Sequence, residues 1–407
     1  MTEAPEIPAT LEERIRNWSI YAPWLQQSTV EHWEEIRAHA PIVRSEEHGG
    51  FWILTRYEDI EWAAKNPDIF SSAELTVPHR RIFHEKLIPI QLDGDVHRKW
   101  RQTLAELFNP SAVNHFTPQL RQATIDTVEP IVRKGRCELI SEYASVLPSE
   151  AFLIAFGIGR EHLKAFVDHK DWLRRVGIPS ARTDEELRAA NKPLWDFFGA
   201  AIDRRRAEGT EGRRDVISRL LHASYDGRPP TRDEMINALF VAMLASLDTT
   251  SSQLGLVFRY LATDPEAQRM VVESPESIPR IVEELIRHEP VSTTGRVVTR
   301  DVERHGVTLR KGDRVLMSWG MAGRDPDVFT DAGRVDFDRQ VTRHLAFGAG
   351  PHRCLGMHLA RRIIQLAVEV WHERIPSYHL TPGTAPRHHY SPALGVFDLD
   401  VTVGAPA

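Results

Sequence analysis

The sequence predicts a mainly α-helical fold with a small β region, organised as one domain over residues 1–407. Three observations carry this reading. Apolar residues recur at three- and four-residue spacing along most of the chain. Strand-like stretches are few and short. One helical pattern near the middle continues for about 30 residues, roughly 45 Å at 1.5 Å per residue.

In chain order, the periodicity predicts helices over Ser28–Ala38, Pro118–Val132, Asp184–Arg206, Thr231–Ala262, Ser277–Arg287 and Leu355–Arg374. Gly135 and Gly209 stop two of them, because glycine accepts the left-handed backbone that ends a helix. Asp264-Pro265 stops a third, since proline cannot continue it. Strands are expected over Gly50–Thr55, Val297–Arg300, Val307–Leu309, Asp313–Ser318 and Leu399–Val403. A β-rich part is expected over roughly residues 40–90 and a helical core over roughly 91–407. No internal repeat or low-complexity linker interrupts the pattern.

The long central pattern follows Pro229-Pro230 and opens on Thr231-x-x-Glu234, a capping box. Its middle is apolar nearly all round, which predicts a buried helix. The run ASLDTTSS nevertheless places Asp248, Thr249 and Thr250 deep within it. Polar groups there need partners. A threonine hydroxyl bonded one turn back and a salt bridge for Asp248 would meet that need. Val241, Leu244, Ala245, Asp248 and Thr249 follow helical spacing and form one stripe.

Composition removes several function classes. The hydrophobic fraction is 42%, the charged fraction 27% and the net charge −6, so no basic excess points to nucleic acid. Cys137 and Cys354 are the only cysteines, too few for a disulfide framework or a zinc clamp. A reducing setting follows. The start MTEAPEIPATLEERIRN lacks a signal peptide's apolar segment, and the apolar run Ala238–Ala245 is far short of the ~18 residues that span a bilayer. The expectation is a cytoplasmic monomer without membrane contact.

Against this background Cys354 stands out, in the stretch FGAGPHRCLG. Gly348 and Gly350 allow turns where side chains would clash. The cysteine stands at the start of the predicted helix LGMHLARRIIQLAVEVWHERI, where N–H groups and the macrodipole are expected to lower a thiol's pKa. Gly356 leaves room for a large flat ligand. A thiolate so placed suits iron ligation in haem. A buried structural cysteine, or a nucleophile paired with one of the 19 histidines, stays open on these residues alone.

The stretch Phe347-x-x-Gly350-x-x-x-Cys354-x-Gly356 resembles the haem-binding signature of the cytochrome P450 monooxygenases. Glu284-Leu285-Ile286-Arg287 resembles the family's E-x-x-R helix, with Arg339 in VDFDRQ at its third charge partner. Ala245–Thr250 is similar to the oxygen-activation motif, and HRKWRQ, His97 to Gln102, to a helix holding haem propionates. The resemblance spans essentially the whole chain and looks closest to bacterial soluble terpene hydroxylases of the camphor and cineole type.

The resemblance implies the cytochrome P450 fold, with haem b (iron protoporphyrin IX) between the central helix and the cysteine-loop helix. It implies Cys354 as the iron ligand, with Arg101, Arg296, His352 and His97 on the propionates. Glu284, Arg287 and Arg339 would form a structural triad. Ala245 would leave space for dioxygen, Thr249 would hydrogen-bond it, and Asp248 would relay protons. Ser246 departs from the glycine common in the family; its hydroxyl is expected to bond the Ala242 carbonyl or alter the local helix opening.

By the same resemblance Phe83, Leu87, Val241, Leu244, Val291, Ser292, Thr294 and Ala393 line the substrate pocket. A mostly apolar lining with few hydroxyls suits a monoterpenoid. A small aromatic acid is the alternative, on the strength of His79, Arg80, Arg81, His84 and Lys86 near the expected entrance, a cluster equally readable as a solvated loop. Without a dinucleotide fingerprint or an iron–sulfur cysteine cluster, electrons must come from a partner. The resemblance implies an acidic ferredoxin with its reductase, docking on Arg98, Lys99, Arg101, Arg353, Arg361 and Arg362. A non-catalytic haem sensor or a peroxygenase is disfavoured by the intact Asp248–Thr249 pair.

Overall fold

The computed structural model describes residues 7–25, 29–78, 82–83, 85–340, 343–390 and 393–404. The central helix is Arg232–Thr263. Its capping box forms: Thr231 Oγ1 accepts from the Glu234 N–H at 3.2 Å, and Glu234 Oε2 accepts from the Thr231 N–H at 2.7 Å. Around it pack the helices Val146–Phe156, Asp184–Glu208 and Met357–Arg374. The helix Pro110–Lys134 lies along Met357–Arg374 and ends on Gly135 at φ 71°. No described helix is long and apolar enough to cross a membrane.

Five predicted helices have bounds within two residues of those observed. The sixth starts earlier, at Pro110 rather than Pro118. Asn109 caps it and Pro110 sits in the first turn, where a missing N–H costs nothing. Pro118 is therefore an interior residue. The helix Val146–Phe156 escaped the periodicity, because residues buried on every side leave no polar face to read.

The main sheet has five strands, in the order Ile42–Ser45, Phe51–Leu54, Arg314–Ser318, Thr293–Val298 and Phe70–Ser71. Phe51–Leu54 runs parallel to Arg314–Ser318, with Trp52 opposite Val315, and the other pairs are antiparallel. Strands near the N-terminus are thus completed by strands from the second half. Thr293–Val298 begins four residues before the predicted strand. Gly295 hid its start, and a Cβ there would lie 3.1 Å from Thr76 backbone atoms. A smaller sheet joins Arg136–Glu138, Asp400–Val403 and Tyr378–Leu380, and two two-stranded sheets are also present among the described residues.

Candidate active site

The cysteine loop is held by its own backbone. Gly348 N–H donates to Leu345 O at 2.7 Å, and Cys354 N–H to Phe347 O at 2.8 Å. Gly350 has φ 65°, and a Cβ on it would stand 2.2 Å from the Ala64 carbonyl oxygen. Only glycine seats the loop against the helix Tyr57–Lys65. Gly356 caps Met357–Arg374, and no described residue comes within 4 Å of where its Cβ would be. Cys354, partly exposed, precedes the first helical residue by a short turn. Burial pushes its thiol pKa up, against the Gly356 N–H and the Arg101 guanidinium. The expected lowering by a helix N-terminus is therefore corrected: desolvation outweighs it.

Beside the loop, basic side chains converge from three segments. His97 and Arg101 are one turn apart on the helix Gly94–Ala105, Arg296 is on Thr293–Val298, and His352 is in the loop. The His97 and His352 rings stack at 3.9 Å, and Arg101 Nη2 donates to the Arg353 carbonyl. Burial holds His97 down at about 4 and Arg296 at about 10, and lowers Arg101 and His352. Among the groups that shift these values, Asp93 is the one carboxylate, 3.4 Å from His352 Nε2. It already accepts from Ser71 Oγ at 2.5 Å and Ser72 N–H at 3.1 Å. Thr294 Oγ1 is buried without a hydrogen-bond partner among the described residues, and His352 Nε2 has only the long Asp93 contact there. Crowded, desolvated donors of one sign fit a ligand that brings carboxylates. Together with the space at Gly356 and the thiol of Cys354, the residues present fit haem b.

Glu284 and Arg287 form a bidentate pair, 2.7 Å on each arm, on the helix Ile278–His288. Arg339 Nε reaches Glu284 Oε1 at 3.1 Å. Arg287, 1% exposed, also donates to the carbonyls of Gly323, Ala332 and Arg334. Sequence reasoning missed Glu283 next to this triad. It accepts from His344 Nε2 at 2.8 Å and from Arg361 Nε at 2.8 Å. No spacing signals it, because its partners lie 61 and 78 residues on.

Along the central helix, Ala245 is exposed although Met243 and Leu247 beside it are buried. Leu244, Asp248 and Thr249 are partly exposed and Val241 is buried. From Leu244 to Thr249 this stripe is an open face on a helix predicted to be enclosed. Thr249 Oγ1 donates to Ala245 O at 2.6 Å. Ser246 Oγ lies 3.4 Å from Met243 O, so its partner is not the expected Ala242 carbonyl but the one three residues back.

Of the predicted pocket residues, Phe83 stacks on Trp195 at 5.5 Å and lies 4.9 Å from Phe240. Leu87 and Val241 are buried in the same cluster, and Leu244 packs against it. Val291 and Ala393 belong to a second cluster, where Leu394 N–H bonds Val291 O at 2.7 Å. Ser292 and Thr294 are partly buried. His79, Arg80, Arg81 and His84 lie outside the described residues. On the basic face, Arg98 pairs with Asp95, and Lys99 with Asp95 and Asp226 at 3.1 and 2.8 Å. Arg101 turns to the loop and Arg361 to Glu283, which removes both from an open docking surface.

A family model described as Cytochrome P450 matches residues 161–370. "Probable cytochrome P450 127A1" of Sinorhizobium fredii is 30% identical, over 87% of this chain and 83% of that protein. "Cytochrome P450-terp" of Pseudomonas sp is 28% identical, over 85% and 87%. The crystal structure of cytochrome P450 CYP101C1 superposes with a TM-score of 0.87 at 28% identity, covering 98% of this chain and all of that one.

Proposed function

Since the chain belongs to the cytochrome P450 family of haem-thiolate monooxygenases, we propose that it inserts one oxygen atom into a small, mostly apolar substrate, with a monoterpenoid first. The other oxygen atom leaves as water, with two electrons and two protons supplied. The observation that carries the reading is the set of basic groups, His97 and Arg296 buried and Arg101 and His352 half-buried, beside the loop that offers Cys354.

When bound, haem b supplies an iron that activates dioxygen, helped by electron density from a thiolate. Cys354 provides that thiolate. The basic set would hold the two haem carboxylates, which would offset its own desolvation. Ala245, exposed on the central helix, would leave space for dioxygen. Thr249, fixed by its bond to the Ala245 carbonyl, keeps its hydroxyl oxygen as an acceptor for a water proton. Asp248, partly exposed one residue before it, passes protons inward from solvent. Glu284, Arg287 and Arg339 hold the segment before the cysteine loop and take no chemical step.

An acidic ferredoxin docking on Arg98, Lys99, Arg353 and Arg362 supplies the electrons; reduction that does not slow as salt rises would remove this part. The apolar cluster of Phe83, Leu87, Val241 and Leu244 supports a monoterpenoid. A Soret spin-state screen tests the substrate. Camphor or 1,8-cineole is expected to shift the band, and a response to small aromatic acids alone would overturn the monoterpenoid reading.

A further inference from the structure

Asn237 extends the stripe of Val241 and Leu244 by one turn toward the N-terminus of the central helix. It is 2% exposed. Its Oδ1 accepts from the Ile88 N–H at 2.9 Å, and its Nδ2 donates to the Lys86 carbonyl at 3.1 Å. The two bonds straddle Leu87, as a paired strand would. Residues 85–92 lie outside helices and strands, so their backbone groups need such outside partners. From the other side, Gln91 Oε1 accepts from the Leu87 N–H at 3.0 Å, while its Nε2 donates to Ala73 O at 3.1 Å. Nearby, Asn191 Nδ2 donates to Ile82 O at 3.3 Å, next to Phe83.

An asparagine inside a helix is a poor helix former, and an apolar residue would pack on this buried face as well. Two directional bonds to one short segment account for its presence. We propose that Asn237 is a positioning residue for substrate shape: it sets where Leu87 stands against the central helix, and so which apolar molecules the site accepts. This rests on the haem-thiolate reading above.

The test uses the full chain with haem and two nitrogen ligands of iron, imidazole and 4-phenylimidazole. Only the second carries a phenyl substituent, whose added apolar bulk the site must seat. In Asn237→Ala, imidazole is expected to bind within about twofold of wild type and 4-phenylimidazole about tenfold more weakly, the scale of a lost hydrogen-bond pair. Asn237→Asp keeps the acceptor for Ile88 and is expected to fall between; it carries the test if the alanine variant does not fold. On a Leu87→Ala background, either Asn237 change is expected to add less than about twofold, because both act through one side chain. Equal weakening of both ligands, no weakening, or full additivity would overturn the proposal. If wild type shows no nitrogen-ligand band with imidazole, the haem reading itself fails, and the inference with it.

Discussion

Arg361 lies with its guanidinium carbon 4.3 Å from the centre of the Phe347 ring, and Glu283 holds it there. The same carboxylate accepts from His344 Nε2 at 2.8 Å. One acid on the helix Ile278–His288 thus ties down both the start of the cysteine loop and the helix after it. The cation over the ring adds attraction at the loop's first residue.

Burial would raise the Glu283 carboxyl, but His344 and Arg361 outweigh it and hold its pKa at about 2, against an ordinary 4.5. A carboxyl depressed on folding stabilises above its unfolded pKa and loses that contribution as pH falls through its folded one. Stability is therefore expected to fall between pH 4.5 and about 2, by roughly 3 kcal/mol from this group. Glu283→Gln removes this part of the slope. The check is denaturant unfolding across that range, and parallel curves for the two proteins would contradict it.

Arg287→Lys is expected to fail although charge is kept. A lysine cannot reproduce a bidentate bond to Glu284 together with bonds to three carbonyls. Leaving Glu284 poorly paired in a buried site costs about 3–5 kcal/mol. Haem retained per folded chain is expected to drop sharply, and wild-type haem content would refute the structural role of the triad.

Thr249→Ala is expected to keep oxygen and electron consumption while product per NADH falls roughly tenfold and peroxide rises, the scale of a lost proton-transfer group. Ser246, with only a 3.4 Å contact to Met243 O, has a hydroxyl free enough to substitute in part. If the single variant stays coupled and Thr249→Ala with Ser246→Gly does not, Ser246 carries the role. Coupling in both would refute the proton-relay reading of this helix. The measurement is NADH, peroxide and product in parallel.

What could be read from the sequence was local. The capping box at Thr231 and Glu234 lies within one turn and formed as predicted. Cys354 and its glycines form a contiguous motif, and Glu284 and Arg287 share a helix face. What escaped reading depends on distant partners. The carbonyls that fix Arg287 lie 36 to 47 residues further on, and the Lys86 carbonyl and Ile88 N–H that meet Asn237 about 150 residues back. The Cys354 thiol was misjudged for the same reason: the helix end is visible in sequence, whereas the burial that overrides it is tertiary.

Cys354 as the iron's thiolate is the central claim, and the spectrum of the reduced carbonyl complex tests it most directly. Wild type is expected to show the red-shifted thiolate-type Soret band. Cys354→His is expected to show the blue-shifted imidazole-type band, with haem still held by Arg101, Arg296, His97 and His352. A thiolate-type band that persists in Cys354→His, or that is missing from haem-loaded wild type, would contradict the account.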